Sequence, residues 1–344
     1  MDPITLALLS GAVGGAGGKA VESLWQAAGR RRLARYLQDV SDEARAAGQA
    51  NTVEFLSQLA VRLGRLEDRL KMKPEEAVQQ SLRDPDLLVT FNAALLSSAR
   101  TSDAVKHDVL ARAVAERFIA PPDSLSALAS NFAVKAIPRL SSHHLQLLAL
   151  AAVVYVVRPP GLPLAPERYA INFTPDEEAL VDAYGSWLKE AVRIVRPIDM
   201  PSDADYAHLA AAACITFERG LKRYLSEVLY PYRGRTLSMA ARSHFEPDVI
   251  SVASSLADLW EGGLKQITLT PPGILIGVAA YDQLSGNSSE VDWHSPNITQ
   301  SVSPADVSVW NGFEIKPEFM RRLGEEVTRS AQRGIHPWDL LKYR

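Results

Sequence analysis

The chain has 344 residues, of which 47% are hydrophobic and 22% are charged, with 37 Lys and Arg against 40 Asp and Glu. This length and apolar content allow a substantial core and exclude a mainly disordered protein. The net charge of -3 excludes a globally basic nucleic-acid-binding protein. The single cysteine, Cys214, excludes disulfide frameworks and cysteine-based metal clusters. We therefore expect a cytoplasmic protein of two or three domains.

The N-terminal segment combines apolar residues with glycines. Asp2-Pro3 is typical of a helix start and predicts a helix to about Ala28, because aspartate caps free amides and proline fits the first helical position. The uncharged run 4–18 has 15 residues, fewer than the roughly 20 that span a bilayer. Asp2 also stands where a secretory signal carries positive charge. We expect neither a transmembrane helix nor export.

Glycines at spacings of three and four give this helix one face of almost bare backbone. The glycine face consists of Gly11, Gly14, Gly15 and Gly18. Each glycine costs about 1 kcal/mol relative to alanine in a helix, so packing, oligomerisation or insertion must offset the loss. One interpretation buries the helix in its own domain. The other interpretation is that the helix self-assembles or engages a membrane. Anionic lipid headgroups would then also contact a downstream cluster of arginines, Arg30, Arg31, Arg32 and Arg35.

The next region predicts a compact bundle of about five helices. Apolar residues recur every three or four positions over 53–70, and Pro74 ends that pattern. Further helical patterns cover residues 75–82, 86–98, 103–118 and 124–137. Asp103 and Asp123 stand where their side chains can cap the last two of these helices. Residues 145–157 are apolar enough to form the buried centre.

The second half of the chain alternates helical patterns with breaks. Residues 158–175 carry five prolines and predict a linker or long loop. Helices are expected over residues 176–195, 203–229 and 317–333, with a polar loop over 287–304. Cys214 lies in an apolar run, which predicts a buried, inert thiol.

Residues 246–286 have the pattern of a small α+β module. A helix ending at Glu261-Gly262-Gly263 precedes a short alternating strand around Ile267 and Leu269. Thr270 can cap the apolar helix that Pro271-Pro272 opens. This order resembles the end of a winged helix. Because residues 247–259 contain no Lys or Arg, we expect protein docking rather than reading of a DNA groove.

The predicted fold is mainly α, a multi-helix bundle with a small winged-helix-like α+β module near the C-terminus. The expected divisions are a glycine-rich N-terminal helix and basic segment over 1–50, a helical bundle over 51–157, a proline-rich linker or loop over 158–175, a helical region ending in the winged-helix-like module over 176–290, and a polar loop with the C-terminal helix over 291–344.

Catalytic chemistry has one weak candidate, the pair Arg139 and His144. Helical defence ribonucleases use an arginine and a histidine with four to six residues between them, but chance gives comparable matches in an arginine-rich chain. Because these residues begin a helix, capping or solvent exposure is the simpler interpretation. Neighbouring His143 and His144 point about 100° apart on a helix and predict no metal site. We expect no metal and no cofactor.

Three segments carry a family resemblance: residues 101–112 from Thr101-Ser102-Asp103, residues 141–150, and Leu269-Thr270-Pro271-Pro272-Gly273-Ile274. Through them the chain resembles an uncharacterised bacterial helical family and is loosely similar to the abortive-infection alpha proteins. The resemblance covers residues 84–286, implies a cytoplasmic bacterial protein tied to phage defence, and supplies no functional residue. The glycine-rich N-terminus resembles the leading helix of helical-bundle cell-death domains.

The sequence thus favours a non-enzymatic protein whose first helix self-associates or engages a membrane, while the helical body docks a partner. The expected partners are a second copy of the chain in a homo-oligomer, a membrane surface at the inner face, and another protein. Two alternatives from other classes stay open: a helical ribonuclease toxin using Arg139 and His144, and a winged-helix nucleic-acid-binding regulator.

Overall fold

The computed structural model describes residues 16–38, 40–70, 84–158, 186–187, 190–195, 199–218, 256, 259–286, 289–291 and 299–301. All of them belong to the first of two compact units, Met1–Ser301 and Val302–Arg344. The described part is mainly helical, which confirms the predicted class. Gly11, Gly14, Gly15 and the predicted helices 75–82 and 317–333 lie outside the described residues.

The described helices occur in two groups along the chain. The first group is α1 (Ala16–Leu24), α2 (Arg30–Tyr36), α3 (Asp42–Leu70), α4 (Pro85–Ser98), α5 (Ala104–Ile119), α6 (Leu125–Ala136) and α7 (Ser142–Tyr155). The second group is α8 (Asp203–Ala211) and α9 (Pro271–Ser285). Helix α3 begins well before the apolar pattern that predicted it, because an acidic first turn, Asp42 and Glu43, favours the helix start.

In the described part of the chain, five short strands form two small sheets. They are β1 (Val157–Arg158), β2 (Ile215–Phe217), β3 (Ile267–Leu269), β4 (Ser289–Val291) and β5 (Thr299–Ser301). Strand β5 pairs parallel with β1 and antiparallel with β4. Strands β2 and β3 are antiparallel, with Thr216 opposite Thr268.

Two predicted segments were wrong because strands replace them. The expected helix 203–229 ends at Ala211, and a turn with Ala213 at φ 57° leads into β2. The β-branched and aromatic side chains of β2 suit pairing with β3 better than a helix. The expected polar loop 287–304 contains β4 and β5.

Helix caps follow the local sequence closely. Asp103 caps α5 as predicted, since its carboxylate accepts from the amides of Val105 and Lys106. The prediction for Asp123 was wrong. Ser124 is the extended residue directly before α6, and its hydroxyl accepts from the amide of Ala127 at 3.2 Å, whereas Asp123 lies one residue earlier at φ 61°.

The predicted buried centre is confirmed in helix α7. Leu145 and residues 147–154 are all buried, so this helix is apolar around most of its circumference. The backbones of α9 and α7 are in direct contact at Gly277. A Cβ atom there would lie 2.5 Å from the carbonyl oxygen of Leu148, which leaves no room for a side chain. A Cβ at Gly273 would overlap the carbonyl of Cys214, which fixes the start of the same helix against the turn before β2.

Ion pairs tie the surrounding helices together. Arg112 on α5 pairs with Asp282 on α9, and both side chains are almost fully buried. Arg62 on α3 makes a bidentate contact with Asp108 on α5, at 3.1 and 2.5 Å. Because removing one member of a buried pair leaves a charge in the interior, these pairs favour one arrangement of α3, α5 and α9.

Helix α1 packs closely on α3 through the glycine next to the predicted face. A Cβ at Gly17 would overlap the carbonyl of Ala60 and lie 2.8 Å from the amide nitrogen of Gly64. Gly18 is buried. The described end of this glycine-rich segment is therefore covered by another helix of the same chain.

Replacing Gly17 by alanine should destabilise the protein, because the new methyl group would push α1 away from the α3 backbone. We expect Gly17→Ala to lower the free energy of unfolding by about 1–3 kcal/mol, measured by equilibrium chemical denaturation. Gly64→Ala is the matched control, since its Cβ would meet only the amide nitrogen of Gly17 at 3.9 Å. The control should be neutral or stabilising, by up to about 1 kcal/mol. Equal losses in both variants would contradict the close approach.

Candidate functional site

The predicted arginine cluster lies on α2, immediately after an irregular stretch of helix. Residues Trp25–Gly29 form a π-helical turn between α1 and α2, a feature that often marks functional positions. Trp25 is buried, and a Cβ at Gly29 would lie 2.7 Å from the Cδ1 atom of Leu95 on α4. The turn is therefore fixed against the bundle, and it sets the direction in which α2 continues.

The side of α2 that faces away from the bundle carries exposed positive charge. Arg30, Arg31, Arg32 and Arg35 are all exposed, and α2 contains no acidic residue. Arg100 joins them from the end of α4: its Nε donates to the Tyr36 hydroxyl at 2.9 Å, and its guanidinium carbon lies 4.9 Å from the centre of the Tyr36 ring. We name the five residues Arg30, Arg31, Arg32, Arg35 and Arg100 the arginine surface.

The other candidate residue, His144, belongs to a junction between the N-termini of α7 and α8. Both helices begin with a capping box, in which the residue before the helix and the third residue of the helix bond each other's backbone amides. In α7 these residues are Ser141 and His144, and in α8 they are Ser202 and Asp205. The capping that the sequence favoured for His144 is therefore present.

The two capping boxes meet through their third residues. Nε2 of His144 lies 3.2 Å from Oδ1 of Asp205, but the contact does not have the geometry of a hydrogen bond. The ring of His208 stacks on that of His144, with centres 4.7 Å apart and planes at 15°. Nε2 of His208 lies 2.9 Å from the carbonyl oxygen of Arg139, to which it can donate. We name Ser141, His144, Asp205 and His208 the histidine junction.

The environment of the histidine junction shifts two pKa values downward. Burial lowers the pKa of His144 from 6.5, and the neighbouring charge of His208 lowers it further, against an opposing effect of Asp205. Hydrogen bonds from the hydroxyl and amide of Ser202 lower the pKa of Asp205 from 3.8. At neutral pH the junction therefore pairs a neutral imidazole with a carboxylate.

Arg139 and His144, which the sequence predicted as a pair, contact different partners in the histidine junction. Arg139 contributes its backbone carbonyl to His208, and the residue is otherwise exposed. His144 uses Nδ1 to accept the amide of Ser141 at 3.1 Å. The sequence missed Asp205 and His208, which lie about sixty residues further along the chain; the only local signal was the Ser-x-x-Asp capping pattern of α8.

The described residues contain no group of three or more His, Cys, Asp or Glu side chains that could hold a metal ion. Cys214 is fully buried, as predicted, and burial raises the pKa of its thiol to about 12, which disfavours the reactive thiolate form.

None of the described helices combines the length and the apolarity that a bilayer crossing would require.

Loss of the Ser141 hydroxyl should weaken the start of α7. We expect Ser141→Ala to lower the free energy of unfolding by about 1 kcal/mol, because the amide of His144 loses its acceptor. Ser142→Ala is the control: that hydroxyl donates to Asp103 at the surface and caps nothing, so its loss should stay within about 0.5 kcal/mol. Equilibrium denaturation of both variants checks the difference, and a neutral Ser141→Ala would refute the role of the cap.

Comparison with known proteins gives one family. A family model matches residues 31–246, more than half of the chain, and the family is uncharacterised. The match begins before the resemblance predicted for residues 84–286 and ends before Leu269–Ile274. No curated protein and no solved structure matches the chain. The similarity to the abortive-infection alpha proteins stays a prediction. The chain belongs to this uncharacterised family, and the matched region includes the histidine junction and all of the arginine surface except Arg30.

Proposed function

We propose that this protein is a non-enzymatic bacterial protein that binds the anionic inner face of a membrane through the arginine surface. The observation that carries the proposal is the concentration of exposed arginines on α2 together with Arg100, without an acidic residue in that helix. Guanidinium groups bind phosphate oxygens in a bidentate manner, so such a surface suits lipid headgroups.

The rigid attachment of α2 supports the proposal. Trp25 and Leu33 are buried on the side that faces the bundle. The helix that carries the arginines is therefore already folded, and it does not have to form when a ligand binds. Tyr36 also fixes Arg100 beside α2, which lowers the entropy lost when the surface binds. Each arginine near an anionic leaflet contributes about 1 kcal/mol, so several together give useful affinity without a membrane-spanning helix.

The remaining parts of the proposal concern assembly and biological context. The helical body docks a protein partner, and the N-terminal helix, whose glycine face lies mostly outside the described residues, also serves self-association. The resemblance to abortive-infection alpha proteins supports a role in phage defence. Because Gly17 already contacts α3, the described end of the helix is less suited to self-association than the arginine surface is to lipid binding.

Vesicle co-sedimentation tests the membrane contact. We expect the purified chain to bind vesicles that contain phosphatidylserine and not vesicles of phosphatidylcholine alone, with binding that weakens as salt is raised. The double variant Arg31→Glu/Arg35→Glu should bind at least about 30-fold more weakly, since two cationic contacts are lost and two repulsive charges are added.

The control variant Lys135→Glu/Arg139→Glu makes the same change in net charge at two exposed positions outside the arginine surface. It should bind like the wild type. If both variants lose binding equally, the effect belongs to net charge alone, and if the wild type does not bind anionic vesicles, the proposed function fails.

Two functions from other classes are the alternatives. The stacked imidazoles of His144 and His208 beside Arg139 favour a helical ribonuclease, and the order of a short strand β3, the cap Thr270 and helix α9 favours a winged-helix regulator. RNA cleavage that disappears in folded His144→Ala would support the first alternative. A retarded complex with duplex DNA at low salt would support the second.

A further inference from the structure

We infer that α6 is the surface through which two copies of this chain pair, with their α6 helices antiparallel across a two-fold axis. The inference names a second copy of the chain as the partner that the helical body docks, and it rests on that part of the proposed function. It is independent of the membrane contact, since it uses none of the arginine surface.

The side of α6 that faces away from the bundle is apolar, whereas a helix at the surface of a globular protein normally exposes polar side chains. Four of its 12 residues are exposed, and three of these are large and apolar. They are Leu125, Leu128 and Phe132, which are 52%, 47% and 51% exposed. We name these three residues the apolar surface. Removing it from water is favourable, so the apolar surface suits contact with another protein.

The spacing of the exposed residues suits a second helix. Leu125, Leu128, Phe132 and the fourth exposed residue, Lys135, are separated by three, four and three positions. This alternation places side chains in one seam along a helix, as in the seams by which the helices of coiled coils pack. The partner that fits is a helix with a matching seam, and a second α6 carries one.

The charges at the two ends of the seam make α6 complementary to itself. Asp123 is exposed just before the apolar surface, and Lys135 is exposed just after it, with Nζ 5.7 Å from the centre of the Phe132 ring. In an antiparallel pair each Lys135 comes next to Asp123 of the other copy, whereas a parallel pair would bring like charges together. The helix dipoles add to this preference, because the N-terminus of one helix lies beside the C-terminus of the other.

Helix α4 widens the surface. The hydroxyl of Thr90 donates to Oδ1 of Asn131 at 2.6 Å, and the amide group of Asn131 donates to Asp86, so this part of α4 lies directly beside α6. Val89, between the two α4 residues in sequence, is 60% exposed. It adds a further apolar side chain next to the apolar surface.

The size of the surface sets the strength of pairing. A helix of 12 residues is about 18 Å long, so one pair of helices with its margins lies at the low end of specific interfaces. We expect a dissociation constant on the order of 10 µM.

Sedimentation equilibrium tests the pairing. The wild type should pass from the mass of one chain to that of two between about 1 and 100 µM. Leu128→Glu should raise the dissociation constant at least about 30-fold, because a symmetric dimer loses two apolar contacts and gains two buried charges. Val61→Glu is the matched control, since Val61 is 52% exposed on α3, and it should pair like the wild type. A monomeric wild type, or a dimer that Leu128→Glu leaves intact, would overturn the inference.

Leu125→Glu keeps the test decisive should Leu128→Glu not fold. Leu125 is the first residue of α6, where a glutamate is favourable for the helix itself. A folded Leu125→Glu chain with weakened pairing supports the inference, and one that pairs like the wild type refutes it.

Changes of charge at the ends of the seam test the antiparallel direction. Lys135→Glu should weaken the dimer about 5-fold, because each new carboxylate would lie beside Asp123 of the other copy. Asp123→Asn should weaken the wild-type dimer about 3-fold but strengthen the Lys135→Glu dimer, since it removes an attraction in the first and a repulsion in the second. Asparagine tolerates the φ of 61° at this position. A change of the same sign in both backgrounds would refute the antiparallel pair.

The pairing and the membrane contact are tested separately. Each copy carries a complete arginine surface, so vesicle binding is compared at protein concentrations well below the dissociation constant of the dimer. There every variant is a monomer, including the control that changes Lys135. A chain that binds anionic vesicles but stays monomeric at every concentration refutes the pairing alone, and a chain that pairs through α6 without binding vesicles supports the pairing while the membrane contact fails.

Discussion

The described fold depends on a backbone-to-backbone approach between α9 and the central helix α7. At Gly277 there is no room for a side chain beside the Leu148 carbonyl, and at Gly273 none beside the Cys214 carbonyl. Because α7 is apolar on nearly every side, it must be covered on nearly every side, and a helix lying this close excludes water along its length. The buried pair of Arg112 and Asp282 joins α9 to α5, and this second attachment helps to fix the position of α9 along α7.

Both candidate sites are held in place by apolar packing, the histidine junction by the buried part of α7 and the arginine surface by the packing of the π-helical turn on α4. The buried part of α7 begins at Leu145, and the residues before it are polar. Because the buried part fixes the helix, its capping residues meet those of α8 in a fixed geometry. Helix α2 is placed by the buried Trp25 and by Gly29, and its arginines therefore point away from the bundle. In each case buried apolar residues fix the position of the helix, and polar residues at the edge of the core form the candidate site.

Local rules predicted much of this fold, and contacts distant in sequence account for what they missed. The cap at Asp103, the opening of α9 after Thr270 and the burial of α7 and Cys214 all follow from patterns within a few residues. Strand β2 could not be predicted in this way, because its pairing with β3 joins segments about fifty residues apart. For the same reason the sequence offered His144 and the arginine cluster but neither His208 nor Arg100, whose positions depend on how α8 and α4 pack.

The late position of α9 in the chain has a consequence for biosynthesis. Helix α7 and Arg112 leave the ribosome long before the segment that carries Gly277 and Asp282 has been translated. A nascent chain paused near residue 246, where the family match ends, would present a bare leucine-rich helix and an unclosed interior to the cytosol. Chaperone occupancy should accordingly be greatest in that interval, and the stretch that the family model matches should not be taken for a unit that folds by itself.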